Sequence, residues 1–127
     1  MSAAPAYASV PNIGSQLASA LESSYTAPTT TVTLLTAGTN GTRVNRVVAK
    51  AVATTVAGKI MLFLFDGTTY HLFDELDVTA VGITTTVDGF RIEKAYYDLV
   101  IKTGWSLRAA LSVAQTGIKV IAFGGDL

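Results

Sequence analysis

The chain has 127 residues, one histidine, no cysteine, and nine basic and nine acidic side chains that cancel. That length suits a single domain able to bury roughly two-thirds of the surface its unfolded form exposes, and the absence of cysteine excludes disulfides, thiolate zinc sites and cysteine nucleophiles together. Charged residues reach only 14 % against 50 % apolar, where about 25 % charged is usual, so an oligomer that hides apolar surface is expected.

Residues 1–30 carry one charge, Glu22, all three prolines (Pro5, Pro11, Pro28) and many small polar residues, a composition with little to bury. They are expected to form an extended N-terminal arm. The start is neither basic nor continuously apolar, so no signal peptide is read despite "ASA" at 18–20. Within the arm Ile13, Leu17, Leu21 and Tyr25 recur every four residues behind Asn12, a residue type that caps helices. The arm is therefore either a frayed tail or a short helix over 12–24 whose stripe docks on a neighbouring subunit, since so short a helix is marginal alone.

From residue 31 the pattern becomes short strands, expected near 31–36, 43–53, 59–65, 69–76, 83–87, 89–101 (with a break), 105–114 and 118–123. In "WSLRAALSVA" Trp105, Leu107, Ala109, Leu111 and Val113 share one face and Ser106, Arg108, Ala110 and Ser112 the other. "KIMLFLF" is apolar on both faces, as for a strand covered by the core on one side and by a neighbour or second layer on the other. In the last strand Ile121 and Phe123 point away from Ile118, Val120 and Ala122, which requires burial beyond a one-sided sheet. Turn residues at Gly58, Asp66-Gly67, Asp88-Gly89 and Gly104 separate the runs. The fold expected is all-β, an antiparallel β-sandwich of jelly-roll type over 31–127.

The charges are scattered, with no basic stripe to neutralise phosphates, which argues against nucleic-acid binding. The longest apolar run, Ile60 to Phe65, is far short of the roughly 20 residues of a bilayer span, so no membrane contact is expected. "LLTAGTNGTRVNRV" (34–47) holds two glycines like a phosphate loop, but Gly38 and Gly41 are too close, no lysine follows and the next segment alternates as a strand. Asn40-Gly41 reads instead as the tip of a hairpin with both central residues at positive φ. His71 lies near Asp66, Asp74, Glu75 and Asp77, yet no calcium-loop spacing is present and alternation puts Asp74 and Glu75 on opposite faces. No serine elbow accompanies His71. Neither catalytic residues nor a metal or cofactor site is assigned; Trp105, Tyr70, Tyr96 and Tyr97 read as core or interface aromatics before a sugar-stacking platform.

"LLTAGTNGTRV", "MLFLFDGTTYHLFDEL", "KTGWSLRAAL" and "VIAFGGDL" resemble small virion structural proteins of tailed bacteriophages, through most of residues 31–127. The resemblance implies a non-enzymatic decoration or cement protein on the outside of an icosahedral capsid, often a homotrimer, that clamps neighbouring major capsid proteins. It implies localisation to a virion assembled in the host cytoplasm, with a tail- or fibre-associated receptor- or glycan-binding module as the alternative. Candidate contact residues are Ile13, Leu17, Leu21 and Tyr25 of the arm, Asn40 and Gly41 at the turn, and Ile121 and Phe123 of the last strand. A small hydrolase built around His71 would need a polar pocket there.

Overall fold

A computed structural model describes residues 10–127; residues 1–9, the start of the expected arm, lie outside the described residues. Nine strands and no helix form among them: β1 (Val10–Ala18), β2 (Val32–Thr36), β3 (Thr42–Ala51), β4 (Gly58–Phe65), β5 (Tyr70–Val78), β6 (Arg91–Ala95), β7 (Val100–Ile101), β8 (Ser106–Leu111) and β9 (Ile118–Asp126). They build the expected β-sandwich. One antiparallel sheet is ordered β1-β9-β3-β6, with β7 also paired to β3, and the second is ordered β2-β8-β4-β5. Pairing is nested: β1 with β9, β2 with β8, β3 with β6 and β7, and β4 with β5. The chain thus runs out as a ribbon and returns along itself.

Strand alternation explains the core. Val44, Val47 and Ala49 of β3 and Ile118, Val120 and Ala122 of β9 share one buried cluster with Ile60 and Leu62 of β4 and Leu107, Ala109 and Leu111 of β8. Each large aliphatic side chain removed from water there contributes about 1.5–3 kcal/mol. β3 keeps its inward set through a bulge between Val44 and Arg46. The extra residue, Asn45, resets the two-residue period, so Val44 and Val47 both face inward while Arg43 and Arg46 both face out. Gly124 faces this bulge because a Cβ there would lie 2.4 Å from the Arg43 carbonyl oxygen. Around the bulge the expected break in 89–101 appears as a four-residue excursion between β6 and β7, held by Tyr96 N–H on Asn45 O (2.8 Å) and Val44 N–H on Leu99 O (2.8 Å).

Three elements differ from expectation. First, residues 12–24 form no helix: Val10–Ala18 pairs along the full length of β9. The four-residue recurrence of apolar residues also satisfies a two-residue period, and β9 offers an open edge that a lone helix lacks. Second, 83–87 is not a strand. Thr84 Oγ1 accepts from the amides of Thr86 (3.2 Å) and Val87 (2.9 Å), and this local hydroxyl bonding competes with the ladder. Third, Asn40-Gly41 is not a hairpin tip. β2 and β3 lie in different sheets, so the turn is an arch between them. Gly41 N–H bonds Gly38 O at 3.0 Å; Gly41 has φ 90°, while no non-glycine residue described has positive φ, Asn40 included.

Residues 19–31 leave the first sheet and strap across the outside of the second. Glu22 N–H bonds Leu111 O (2.7 Å), Tyr25 reaches Lys59 at one end of β4, and Thr31 Oγ1 lies 3.5 Å from Tyr70 OH at the other. Beneath this path Met61, Phe63 and Ala110 form a second buried cluster flanked by Tyr70 and Leu72. The outer apolar face of "KIMLFLF" is therefore covered by the chain's own strap. Glu22, the lone charge of the expected arm, organises it: its buried carboxylate accepts from the amides of Ser24 (3.0 Å), Thr29 (2.7 Å) and Thr30 (2.6 Å). These backbone donors, Ser24 foremost, hold its pKa below the ordinary 4.5.

Candidate interaction surface

The strap covers the outside of the second sheet, but no segment among the described residues crosses the outside of the first. The register sets what that face displays. Ile13, Phe123, Arg46 and Ala95 stand in one row, Ser15, Ile121, Val48 and Glu93 in the next, and Leu17, Lys119, Lys50 and Arg91 in a third. Ile13 is 59 % and Leu17 48 % exposed, while Ile121 and Phe123 are half-buried and Val48 is buried. The Arg46 guanidinium lies 4.4 Å from the centroid of the Phe123 ring, a cation–π contact, and pairs with Glu93. The fold so gathers Ile13, Leu17, Ile121 and Phe123, four of the candidate contact residues, on one uncovered apolar patch.

It also gathers charge that the sequence scatters. Five of the nine basic side chains, Arg43, Arg46, Lys50, Arg91 and Lys119, flank this patch with only one carboxylate, Glu93. The signal that would have found them is alternation within "TRVNRVVAK", but the Asn45 bulge shifts its phase, and the facing of β9 against β3 is not legible in either segment alone.

The other candidates go elsewhere. Leu21 bridges to Leu111, and Tyr25 sits on the strap over the second sheet, so the stripe Ile13-Leu17-Leu21-Tyr25 is divided between two faces. Asn40 is exposed and Gly41 buried in the arch, whose base is tied down by a polar cluster. There Asn12 Nδ2 donates to Thr36 O (3.1 Å) and Asp126 Oδ1 (2.9 Å), and Thr42 Oγ1 donates to Asp126 Oδ1 (2.7 Å) and accepts from Gly38 N–H (2.9 Å). Thr42 and then Asn12 hold the Asp126 carboxyl below its usual range. Asn12, expected as a helix cap, instead locks β1 to the ends of β2, β3 and β9.

The groups around His71 are dispersed. His71 Nε2 lies 3.1 Å from Asp66 Oδ2, and its ring stacks on Trp105 at 5.6 Å. Asp66 caps the β4–β5 hairpin, accepting from Thr68 (2.9 Å) and Thr69 (2.7 Å) amides; the Thr69 amide first, then His71, hold its pKa at about 2. Asp74 accepts from Tyr96 OH (2.6 Å) and Glu75 pairs with Lys59 (3.2 Å). Asp66, Asp74 and Glu75 each have their own structural partner, and among the described residues no three such groups converge. The four rings weighed as a sugar platform also separate: Tyr70 packs on Phe63 and Phe65, Tyr96 on Phe73, Trp105 on His71, and Tyr97 stands exposed. A small cavity of about 90 Å³ lies between Leu17–Ala20, Thr30, Val32 and Ala109–Leu111, without a titratable side chain in its wall. Comparison of the chain with protein-family models, curated proteins and solved structures finds no match.

Proposed function

We propose that this chain is a non-enzymatic virion structural protein that decorates a tailed-phage capsid and stabilises it by bridging neighbouring major capsid proteins. The observation that carries the reading is the apolar patch of Ile13, Leu17, Ile121 and Phe123 on the outer face of the first sheet, which no segment among the described residues crosses, since such patches mark interaction surfaces. The nested strand order supports a jelly-roll reading of the sandwich, an architecture shared by capsid proteins but also by lectins and cupins, so it lends weight without assigning the role. A decoration protein acts by mass action, favouring the assembled state it binds, and needs shape and apolar contact in place of a reactive cluster.

The test is addition of the purified chain to capsids that lack it. The expected result is saturable occupancy and a higher disruption temperature, with Ile13→Asp and Phe123→Asp reducing occupancy at least tenfold. Absence of binding at any concentration, together with specific retention on a glycan array, would replace this reading by the tail-associated one.

A further inference from the structure

The third row of the uncovered face is electrostatically unfavourable as it stands. Lys119 lies directly opposite Lys50, and Lys50 directly opposite Arg91, and like charges abreast on neighbouring strands repel. The one carboxylate of the face, Glu93, is already shared between Arg46 and Arg91. Lys50 turns its ammonium onto Gly89 O (3.0 Å), and Lys119 has no hydrogen-bond or ion-pair partner among the described residues. Because the whole chain is neutral, the four remaining cations are outnumbered by eight carboxylates elsewhere. Three of these lie on β5, the edge strand of the second sheet: Asp74, Glu75 and Asp77. Lys94 lies 3.8 Å from Asp74 and Lys59 3.2 Å from Glu75, while Asp77 has no ion-pair partner among the described residues; Glu75 and Asp77 are exposed, with an open cleft lined by Leu72, Phe73, Asp74 and Glu75 beside them.

We propose that the outer face of the first sheet docks on the acidic β5 edge of a second copy of this chain. The apolar patch of Ile13, Ile121 and Phe123 forms the centre of the contact, and Arg91, Lys50 and Lys119 meet Glu75 and Asp77 at its rim. Two identical basic faces repel, which disfavours a two-fold contact through this sheet; a basic face on an acidic edge is heterologous, and such contacts close into rings when the rotation allows. A bare nucleic-acid site fits less well, because the apolar side chains occupy the middle of the face where a phosphate track would run. This self-contact uses the patch that also carries the proposed capsid contact, so a copy associated in this way turns that patch toward its neighbour, and the self-contact is read on the purified chain without capsids.

The experiment is sedimentation velocity of the purified chain at low and high salt, with circular dichroism verifying that each variant is folded. The wild-type chain is expected to self-associate, more weakly as salt screens the rim. Arg91→Glu with Lys119→Glu, and separately Glu75→Lys with Asp77→Lys, are each expected to raise the dissociation constant at least tenfold. The quadruple variant, with both signs reversed, is expected to regain association. A wild-type chain that stays monomeric at high concentration overturns the proposal. So does an acidic-edge double variant that associates like wild type, which would place the self-contact on a surface other than the β5 edge. Duplex DNA that competes self-association away with a steep salt dependence would likewise overturn it in favour of a nucleic-acid face.

Discussion

Replacing Glu22 tests whether a single carboxylate holds the strap that covers half of this fold. Its Oε1 accepts from Thr29 and Thr30 and its Oε2 from Ser24, so Glu22→Ala leaves three backbone donors without their acceptor, and Glu22→Gln turns an amide group toward the Ser24 N–H. Hydrogen bonds to charged groups contribute about 1.5–3 kcal/mol each. Thr29 and Thr30 are exposed residues, and water replaces part of that loss, which brings the expected cost of Glu22→Ala to about 3 kcal/mol and of Glu22→Gln to about 1.5 kcal/mol. With a urea dependence of about 1.5 kcal/mol/M, the alanine variant should unfold at a midpoint about 2 M lower and the glutamine variant about 1 M lower. Amide hydrogen exchange should accelerate first at Ser24, Thr29 and Thr30, because the strap has little apolar anchorage of its own. An unchanged midpoint in Glu22→Ala together with unchanged exchange at those amides would refute the assignment of Glu22 as the organiser.

The same carboxylate sets a pH response. A folded pKa below 4.5 means that its stabilisation is fully present above pH 4.5 and is lost as pH falls through the folded value, so the protection of strap amides relative to their intrinsic exchange rate should fall on acidification below 4.5, and Glu22→Gln should flatten that dependence. Gly14→Ala is expected to displace β1, because the new Cβ would lie 1.4 Å from the Leu34 carbonyl oxygen where the two sheet edges meet; thermal unfolding should drop by several degrees and a broad-specificity protease should release the N-terminal segment. Phe63→Ala and Phe123→Ala separate the two outer faces. Phe63 is fully buried under the strap and its truncation should cost about 3–5 kcal/mol in denaturant unfolding, whereas half-buried Phe123 should cost well under half of that and should act on self-association measured by sedimentation. Deleting residues 2–27 should unfold the domain, since it removes β1 and Glu22 together.

The sequence by itself determined the local character of most segments from residue 31 onward. Alternation in "WSLRAALSVA" and the continuous apolar run of "KIMLFLF" located β8 and β4 within a few residues, and Asp66-Gly67 marked the tight β4–β5 turn, because strand patterning and a left-handed glycine are local requirements that the chain must satisfy wherever it goes. Pairing was decided only in three dimensions. Asn40-Gly41 was legible as a turn, but that it joins different sheets depends on β2 finding β8 and β3 finding β9, between residues 67 to 84 positions apart. Residues 10–18 were misread for the same reason. Their apolar spacing fits two periods, and the open edge of β9, 100 to 116 residues away, selects the strand. The candidate contact surface divides along this line too. Ile121 and Phe123 were visible as a set that a one-sided sheet leaves over, but their union with Ile13 and Leu17, and the crowding of Arg91, Lys50 and Lys119 abreast, exist only in the register of three neighbouring strands, where hydrogen-bonded pairing converts distant positions into a single face.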